Sequence, residues 1–353
     1  MMIPKTIIMK RLSLLFVLFF VGILSLSAQM PHAAATKRQH WNGSYTFFSI
    51  GTLNFSEEYN PLYGDVEHVT TKFYAPHIDD SGVLQLEFMG AETYTFNLRG
   101  DVISYEEYDL TSLSESCRYV HDSDGRILRS VEYTAEDSLT IITSYEYDEN
   151  GRCIEEHSSF NDESFVVSKY EYDMSGNLIA THCYDNDNLL YSELSAYEDG
   201  RLVKESKVVN GETMPLCEYR YDSKGRVVEV VEHTLYNESF LEYRFEYNDN
   251  GDICTILVRN DDNVFTPYKV LVYHSSGKLC GYYYYVETQR DTSFRELFSY
   301  DDEGRAESYY GIGIDVVREN YYHDEHSNIC KSVRYLYDDT TPSFIIETEI
   351  TYR

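Results

Sequence analysis

The chain has 353 residues, of which 42% are hydrophobic, with 35 Tyr, 17 Phe and a formal net charge of −31 at pH 7. This much apolar and aromatic surface offsets the entropy cost of folding, so the composition excludes an intrinsically disordered protein. The negative charge repels phosphate backbones, which excludes nucleic acid as a partner and leaves cations or basic protein surfaces.

Residues 1–28 have the three parts of a secretory signal peptide. Basic residues (Lys5, Lys10, Arg11) precede an apolar run from Leu12 to Leu26, and small residues end at Ala28. The run is shorter than the ~20 residues that a membrane-spanning helix needs. We therefore predict that the segment is cleaved. The product is expected to be exported to the periplasm, the cell surface or the medium, with no membrane insertion after cleavage.

A repeated motif divides the rest of the chain. Residues 29–73 lack it and are predicted to form a linker and capping strands, while residues 74–353 are predicted to form a repeat array. The clearest copies are YEYDENGR (145–152), YEYDMSGN (170–177), YRYDSKGR (219–226) and FEYNDNGD (245–252). The chain has about eleven such turn positions, and after a first gap of 18 residues their spacing stays between 23 and 27 residues. Such a regular spacing is typical of a tandem repeat.

Each copy has the local chemistry of a β-hairpin. An Asx residue, two free residues and Gly suit a type I turn, in which the Asx side chain accepts an amide hydrogen bond and Gly takes the left-handed position. The turn residues predicted in this way are Asp148, Gly151, Asp173, Gly176, Asp222, Gly225, Gly251, Asp301 and Gly304. The copy at Asp199-Gly200 is one residue shorter and fits a type I′ turn. We expect the motif arginines to lie on the surface and to contribute little to stability.

The Tyr-x-Tyr ahead of each turn places two aromatic side chains on one strand face and charged residues on the other. Second turn signals, such as Asn161-Asp162 and Asn210-Gly211, mark the far end of each repeat. The predicted fold is all-β: tandem antiparallel hairpins of about 25 residues that form one long, twisted or curled meander sheet. Segments such as 201–207 lack the unbroken apolar face of a membrane-spanning sheet.

The motif resembles the YD repeats of the RHS (rearrangement hotspot) family, whose consensus is Tyr-Asp, two free residues, Gly-Arg and an apolar residue. The resemblance covers residues from about 74 to the C-terminus. It implies a sheet that spirals into a hollow shell, often around a C-terminal toxin. The small number of repeats and the lack of a toxin domain after them lead us to expect only a partial RHS-like shell.

Two groups of residues are candidates for binding sites. His323-Asp324-Glu325-His326 is the densest set of possible metal ligands, but His323 replaces a motif Tyr and the others occupy a turn, so no metal or cofactor is predicted. Acidic turns such as 122–125 suit weak Ca²⁺ binding at most, because they lack a distal bidentate Glu. Tyr282, Tyr283, Tyr284 and Tyr285 must face both sides of a strand. Two of these rings are therefore expected to be exposed and to form a weak candidate binding surface.

The seven cysteines after the signal are expected to be buried thiols. Equivalent strands of a meander lie about 10 Å apart, whereas a disulfide needs Cα atoms within about 7 Å. We therefore predict no disulfides within the chain.

The sequence contains no GxSxG, HExxH or phosphate-binding loop, so no enzyme is predicted. The predicted function is a non-catalytic exported repeat scaffold that presents an acidic, tyrosine-rich β surface to a protein or glycan. One alternative is a remnant or accessory of an RHS-type encapsulating or toxin-associated protein. Another is an enzyme that acts on glycans.

Overall fold

The computed structural model describes residues 62–110, 112–135, 138–161, 164–233, 240–260, 262–286, 289–312, 316–337 and 340–353. The predicted signal peptide and most of the predicted linker lie outside these residues. The regular structure of the described residues consists of the strands β1 (Val66–Ile78), β2 (Leu84–Phe96), β3 (Val102–Asp109), β4 (Ser112–His121), β5 (Ile127–Thr134), β6 (Leu139–Tyr147), β7 (Cys153–Phe160), β8 (Ser164–Tyr172), β9 (Leu178–Asp185), β10 (Asn188–Glu198), β11 (Arg201–Val209), β12 (Glu212–Tyr221), β13 (Val227–His233), β14 (Phe240–Tyr247), β15 (Ile253–Arg259), β16 (Phe265–Tyr273), β17 (Leu279–Val286), β18 (Gln289–Tyr300), β19 (Ala306–Ile312), β20 (Val316–His323), β21 (Ile329–Leu336) and β22 (Phe344–Tyr352). No helix among the described residues is long and apolar enough to cross a membrane.

The strands form one antiparallel sheet in sequence order, which confirms the predicted meander of hairpins. In addition, β1 pairs with β22, from Val66 opposite Tyr352 to Tyr74 opposite Ile345. The sheet is therefore closed, whereas the repeat count led to the expectation of a partial shell. Two causes explain the closure. The twist of successive strands accumulates around the sheet. In addition, β1 begins at Val66, ahead of the first motif copy, and so supplies the residues that pair with β22.

The motif turns from Gly100 onward link the strands at one end of the sheet, whereas the predicted turn at Gly82 joins β1 to β2 at the other end. In the turn after β6, the amide of Gly151 donates to the carbonyl of Asp148 at 3.0 Å, and Gly151 has a φ of 79°. The strand pairing shifts by one residue between Glu146 and Tyr147, as expected for a type I turn followed by a bulge. Asp199 and Gly200 both have positive φ values, 51° and 74°, as a type I′ turn requires.

The strand register defines two faces of the sheet. Residues directly opposite each other on paired strands share a face, so Tyr219 and Val230 lie together on the face that carries the motif tyrosines. We call it the tyrosine face and the other the opposite face. The largest buried cluster runs along β12 to β18 and comprises Cys217, Tyr219, Val230, Phe245, Ile256, Leu271, Leu279, Tyr282 and Phe298. Full burial of one such large apolar side chain contributes about 1.5–3 kcal/mol.

The motif Asp, Arg and Tyr connect consecutive repeats. The Asp148 carboxylate accepts hydrogen bonds from the Arg152 amide at 2.9 Å and from its Nε at 2.7 Å. The Arg152 guanidinium lies 4.6 Å from the ring centroid of Tyr172 in the next repeat. The Tyr172 hydroxyl in turn donates to the carbonyl of Cys153 at 2.8 Å. We call this arrangement the inter-repeat staple. The stacking part recurs at Arg126 over Tyr147, Arg201 over Tyr221, Arg226 over Tyr247 and Lys278 over Tyr300.

Polar contacts also hold the closing pair of strands. The Arg353 guanidinium donates to the carbonyls of Phe96 and Asn97 at 2.6 and 2.8 Å and forms an ion pair with Asp65. Arg353 thus connects the end of β22 to the turn after β2, much as the motif arginines connect consecutive turns.

Candidate functional site

Five glutamates lie on the tyrosine face between β2 and β7: Glu92 on β2, Glu107 on β3, Glu115 on β4, Glu132 on β5 and Glu156 on β7. Glu92 is directly opposite Glu107, and Glu107 is directly opposite Glu115. The Cβ atoms of directly opposite residues are about 4.5–5.5 Å apart, so these carboxyl groups repel one another when ionised. We call the five residues the carboxyl row.

The other two members continue the row on the same face. Glu132 is opposite Cys117, two residues along β4 from Glu115. Glu156 is opposite Tyr145 on one side and Ser168 on the other. Only 3% of Glu156 is exposed, and its carboxylate accepts a hydrogen bond from the Tyr170 hydroxyl at 3.1 Å.

The carboxyl row lacks a neutralising base. Within the described part of the chain, none of the five glutamates forms an ion pair with Lys, Arg or His. In the row, Glu156 is buried, Glu92, Glu107 and Glu132 are half-buried, and Glu115 is exposed. The buried carboxylates elsewhere have arginine partners: Glu229 contacts Arg220 and Arg244, and Glu242 contacts Arg259. The row is therefore a concentration of acid that the fold itself does not balance.

Burial and mutual repulsion raise the pKa values along the row. Burial raises the pKa of Glu92 and Glu115, and the nearby charge of Glu107 raises both further. Burial likewise raises the pKa of Glu132, with Glu115 adding to it. Burial raises the pKa of Glu156 to about 7, although the hydrogen bond from Tyr170 opposes this shift. Near neutral pH, Glu156 is therefore partly protonated, because desolvation and like charge both disfavour its ionised form.

Tyrosine side chains line the first half of the row. The rings of Tyr94 and Tyr105 face each other across β2 and β3 with centroids 4.8 Å apart. The Tyr105 hydroxyl donates to Glu107 at 2.7 Å. Burial raises the pKa of both phenols, so they stay protonated and act as donors. Carboxylates beside aromatic ring faces suit an organic cation such as a lysine or arginine side chain.

The predicted turn residues lie in the motif turns and not in the carboxyl row. The Asp173 carboxylate accepts hydrogen bonds from the amides of Ser175 and Asn177, and the bond from the Asn177 side chain lowers the pKa of Asp173. Asp222 and Asp301 make the equivalent amide contacts. The remaining predicted glycines all have positive φ values: Gly176, Gly225, Gly251 and Gly304. Their geometry serves the hairpins.

The two histidines proposed as weak metal ligands have separate structural roles. His323 is half-buried at the end of β20, and burial lowers its pKa. His326 lies in the following turn, where its ring stacks on Tyr352 with centroids 4.0 Å apart. The described residues contain no group of three or more His, Cys, Asp or Glu arranged for a metal ion.

The run of four tyrosines on β17 does not form the exposed platform that was expected. Tyr282 is 3% exposed, and Tyr283, Tyr284 and Tyr285 are half-buried, so the expectation of two exposed rings is wrong. Neighbouring strands cover part of this surface. The Lys269 ammonium lies 3.6 Å from the Tyr282 ring centroid, and the Tyr268 ring contacts Tyr284 edge-on.

The chain is similar to one protein family and to several solved structures. A family model described only as "Uncharacterised protein" matches residues 98–270. No curated protein sequence matches the chain. Among solved structures, the chain is similar to TcdB2-TccC3 (TM-score 0.43) and to TcdB2-TccC3-Cdc42 (TM-score 0.42), each at 14% identity over 81% of this chain.

The chain spans only 16% of the length of those TcdB2-TccC3 chains. It is also similar to a porin-like protein from Bacteroides uniformis ATCC 8492, with a TM-score of 0.30 and 10% identity over 82% of this chain and 99% of the other. At these TM-scores the similarities carry no conclusion about function.

Proposed function

We propose that this chain is a non-catalytic exported scaffold that binds a cationic segment of a partner protein along the carboxyl row. The absence of any basic partner for Glu92, Glu107, Glu115, Glu132 and Glu156 among the described residues carries the proposal. Lysine or arginine side chains of a ligand supply the charge that the row lacks, and the ring faces of Tyr94 and Tyr105 add cation–π contacts of about 0.5–2 kcal/mol each.

Binding of a cation to the row is coupled to pH. A positive charge favours the ionised form of Glu92, Glu115 and Glu132, whose pKa values are raised in the free protein. Binding therefore releases protons, and affinity rises with pH across the range in which these carboxyl groups ionise. A neutral glycan gives no such coupling. Burial of Tyr282 also removes the main stacking surface that favoured a glycan.

The experiment is calorimetric titration of the signal-free chain with an oligolysine peptide of about ten residues, at pH 5 and pH 8. We expect heat and proton release at pH 8 and weaker binding at pH 5. The triple variant Glu92→Gln/Glu107→Gln/Glu115→Gln should lose at least tenfold in affinity.

A matched control removes the same charge elsewhere. Glu171, Glu198 and Glu246 are exposed, so Glu171→Gln/Glu198→Gln/Glu246→Gln should bind like the wild type apart from a small long-range effect. Equal losses in the two triple variants would show that the attraction is only general, and the proposal for the row would fail. If the protein bound a neutral oligosaccharide but not oligolysine, the result would contradict a protein partner and support a glycan partner.

Closure of the sheet supports a second proposal, that the chain encloses its partner as an accessory of an RHS-type encapsulating protein. A closed sheet of 22 strands surrounds more space than its own side chains fill. Side chains crowd on the concave side of a curved sheet, and the largest buried cluster lies on the tyrosine face. Trypsin digestion of the complex tests it, because an enclosed oligolysine resists cleavage and a surface-bound one is cut.

A further inference from the structure

The hairpin of β1 and β2 extends past its neighbours at the end opposite the motif turns. Pairing of β1 with β22 stops at Tyr74, and pairing of β2 with β3 stops at Gly90. Beyond these points, Ala75–Ile78 pair with Leu84–Glu87, and these residues have no other strand partner among the described residues. We call residues 75–89 the hairpin extension.

One face of the hairpin extension is apolar. Pro76 is opposite Leu86, and Ile78 is opposite Leu84, while Tyr74 and Phe88 meet edge to face with centroids 5.9 Å apart at the base. These six side chains form what we call the apolar strip: Tyr74, Pro76, Ile78, Leu84, Leu86 and Phe88. The exposed fractions of Ile78, Leu84 and Leu86 are 55%, 43% and 43%.

The other face of the hairpin extension is polar. It carries Glu87 opposite Ala75 and Gln85 opposite His77. A contiguous exposed apolar surface on only one side of a hairpin is typical of a surface that another segment covers.

The negative charge around the hairpin extension favours a basic or neutral segment as the one that covers the apolar strip, and the same chain contains such a segment. Residues 73–98 contain no Lys or Arg but include Asp79, Asp80 and Glu87. Residues 29–55 show the reverse pattern, with Lys37 and Arg38 and no Asp or Glu. Within them, the stretch YTFFSIGTLNF (45–55) is rich in aromatic and β-branched residues, which suit an extended segment packed on a sheet.

The length of chain ahead of β1 allows this contact. Leu62 packs near Val66 and Phe96 at the motif-turn end of β1. From Val66 to Ile78 the strand covers about 40 Å, whereas residues 45–61 reach up to about 55 Å when extended. We infer that residues 45–55 dock on the apolar strip of the hairpin extension and cover it. The acidic tip at Asp79 and Asp80 disfavours insertion of the hairpin into lipid.

Photo-crosslinking of the full signal-free chain tests this contact directly. With p-benzoylphenylalanine in place of Leu86, we expect cross-links to peptides within residues 40–56. Val272 has a similar exposure of 40% on a distant strand, so the same substitution there should give no cross-link to that segment. Cross-links from position 86 only to other segments, or to none, would overturn the inference.

A mixture of isotopically heavy and light protein distinguishes the source of the segment. Cross-links within one chain support the inference. Cross-links only between heavy and light chains would replace it by docking of a second copy.

Proteolysis of the same protein provides an independent readout. Limited chymotrypsin digestion at Tyr45, Phe47 and Phe48 should be at least tenfold faster in Leu86→Asp than in the wild type. Gln85→Asp adds the same charge on the polar face of the hairpin extension and should leave the rate unchanged. Equal cleavage rates in Leu86→Asp and the wild type would contradict docking on the apolar strip.

Discussion

Two buried glutamates on the tyrosine face show that two regions of the repeat array compensate a buried carboxyl group in different ways. Glu156 on β7 is 3% exposed and Glu319 on β20 is 6% exposed. Glu319 accepts hydrogen bonds from Nε and Nη2 of Arg334 at 3.1 and 2.9 Å. For Glu156, the partner in hydrogen-bond contact is the neutral hydroxyl of Tyr170.

The difference between the two regions arises from single cross-strand residues. Arg334 is directly opposite Glu319, whereas Tyr145 and Ser168 are opposite Glu156. A buried carboxyl group needs either a base or a proton, because desolvation of an uncompensated charge costs several kcal/mol. In the β20–β21 region an arginine therefore compensates the charge of the buried carboxyl group. In the β2–β7 region the buried carboxyl group is neutralised by a proton. Of these two regions, the β2–β7 region should make the larger contribution to the pH dependence of stability.

The largest expected effect is that of Glu156→Gln at high pH. Burial raises the pKa of Glu156 to about 7 in the fold from its ordinary value of 4.5, so ionisation of Glu156 lowers the stability of the fold. The penalty is absent below about pH 4.5, grows as pH rises through 7, and corresponds to roughly 3 kcal/mol above that. The variant should equal the wild type at pH 4.5 and exceed it by about 3 kcal/mol at pH 9 in urea unfolding.

Glu319→Gln is the control for that measurement. It removes a carboxylate that Arg334 already balances, so it should lower stability at both pH values and never raise it. If the difference between Glu156→Gln and the wild type were the same at pH 4.5 and pH 9, the proton-based account of the β2–β7 region would be wrong.

The next largest effect is expected for Arg334→Met. This substitution leaves the β20–β21 region with a buried glutamate and no base, as in the β2–β7 region. It leaves Glu319 buried without its base, which costs about 3–5 kcal/mol for a fully buried pair. Because 43% of the Arg334 side chain is exposed, we expect a loss of about 2–3 kcal/mol. Arg334→Met/Glu319→Gln also removes the buried carboxylate, so its urea unfolding should recover most of the loss. A double variant as unstable as Arg334→Met would point to packing instead of charge.

A smaller loss of stability, equal in both halves of the array, is expected when the arginine of an inter-repeat staple is removed. Arg152→Ala and Arg226→Ala each remove a paired guanidinium that stacks on the next repeat's tyrosine. We expect about 1–2 kcal/mol for each, since the side chains are partly exposed. Urea melts should give the same loss for both. A much larger loss in only one of them would mean that the two regions differ in their repeats as well as in their carboxyl groups.

The local features of the fold could be predicted from the sequence, and the long-range ones could not. Motif Gly151 and the pair Asp199-Gly200 specify their turns through nearby chemistry, so the hairpins could be derived. Pairing of β1 with β22 joins residues that are almost 300 positions apart, and no local signal encodes it. The motif arginines were expected to contribute little because they lie on the surface. Their contact with the tyrosine of the next repeat, such as Arg152 with Tyr172, was not predicted, because that tyrosine is distant in the sequence.

The carboxyl row was only partly visible in the sequence. Glu92 lies two residues before Tyr94 and Glu107 two residues after Tyr105, and this even spacing puts both on the tyrosine face. Their direct opposition depends on the strand register, which includes a one-residue shift between Thr95 and Phe96. Alternation thus identified the face, but not which side chains meet across the strands.

The smallest effect, with no change in stability, concerns the cysteines of the two halves. Cys117, Cys153, Cys183 and Cys217 are buried, while Cys254, Cys280 and Cys330 are half-buried. Burial raises the pKa of both Cys117 and Cys153 to about 12, so at pH 8 only about one in ten thousand of these thiols is the reactive thiolate. In the folded protein at pH 8, iodoacetamide should modify Cys254 and Cys330 at least a hundredfold faster than Cys117 and Cys153, as followed by peptide mass spectrometry. After unfolding without a reductant, all seven cysteines should react at similar rates, because none is expected to be in a disulfide. Modification of five or fewer under those conditions would reveal a disulfide and would contradict the strand spacing of the meander.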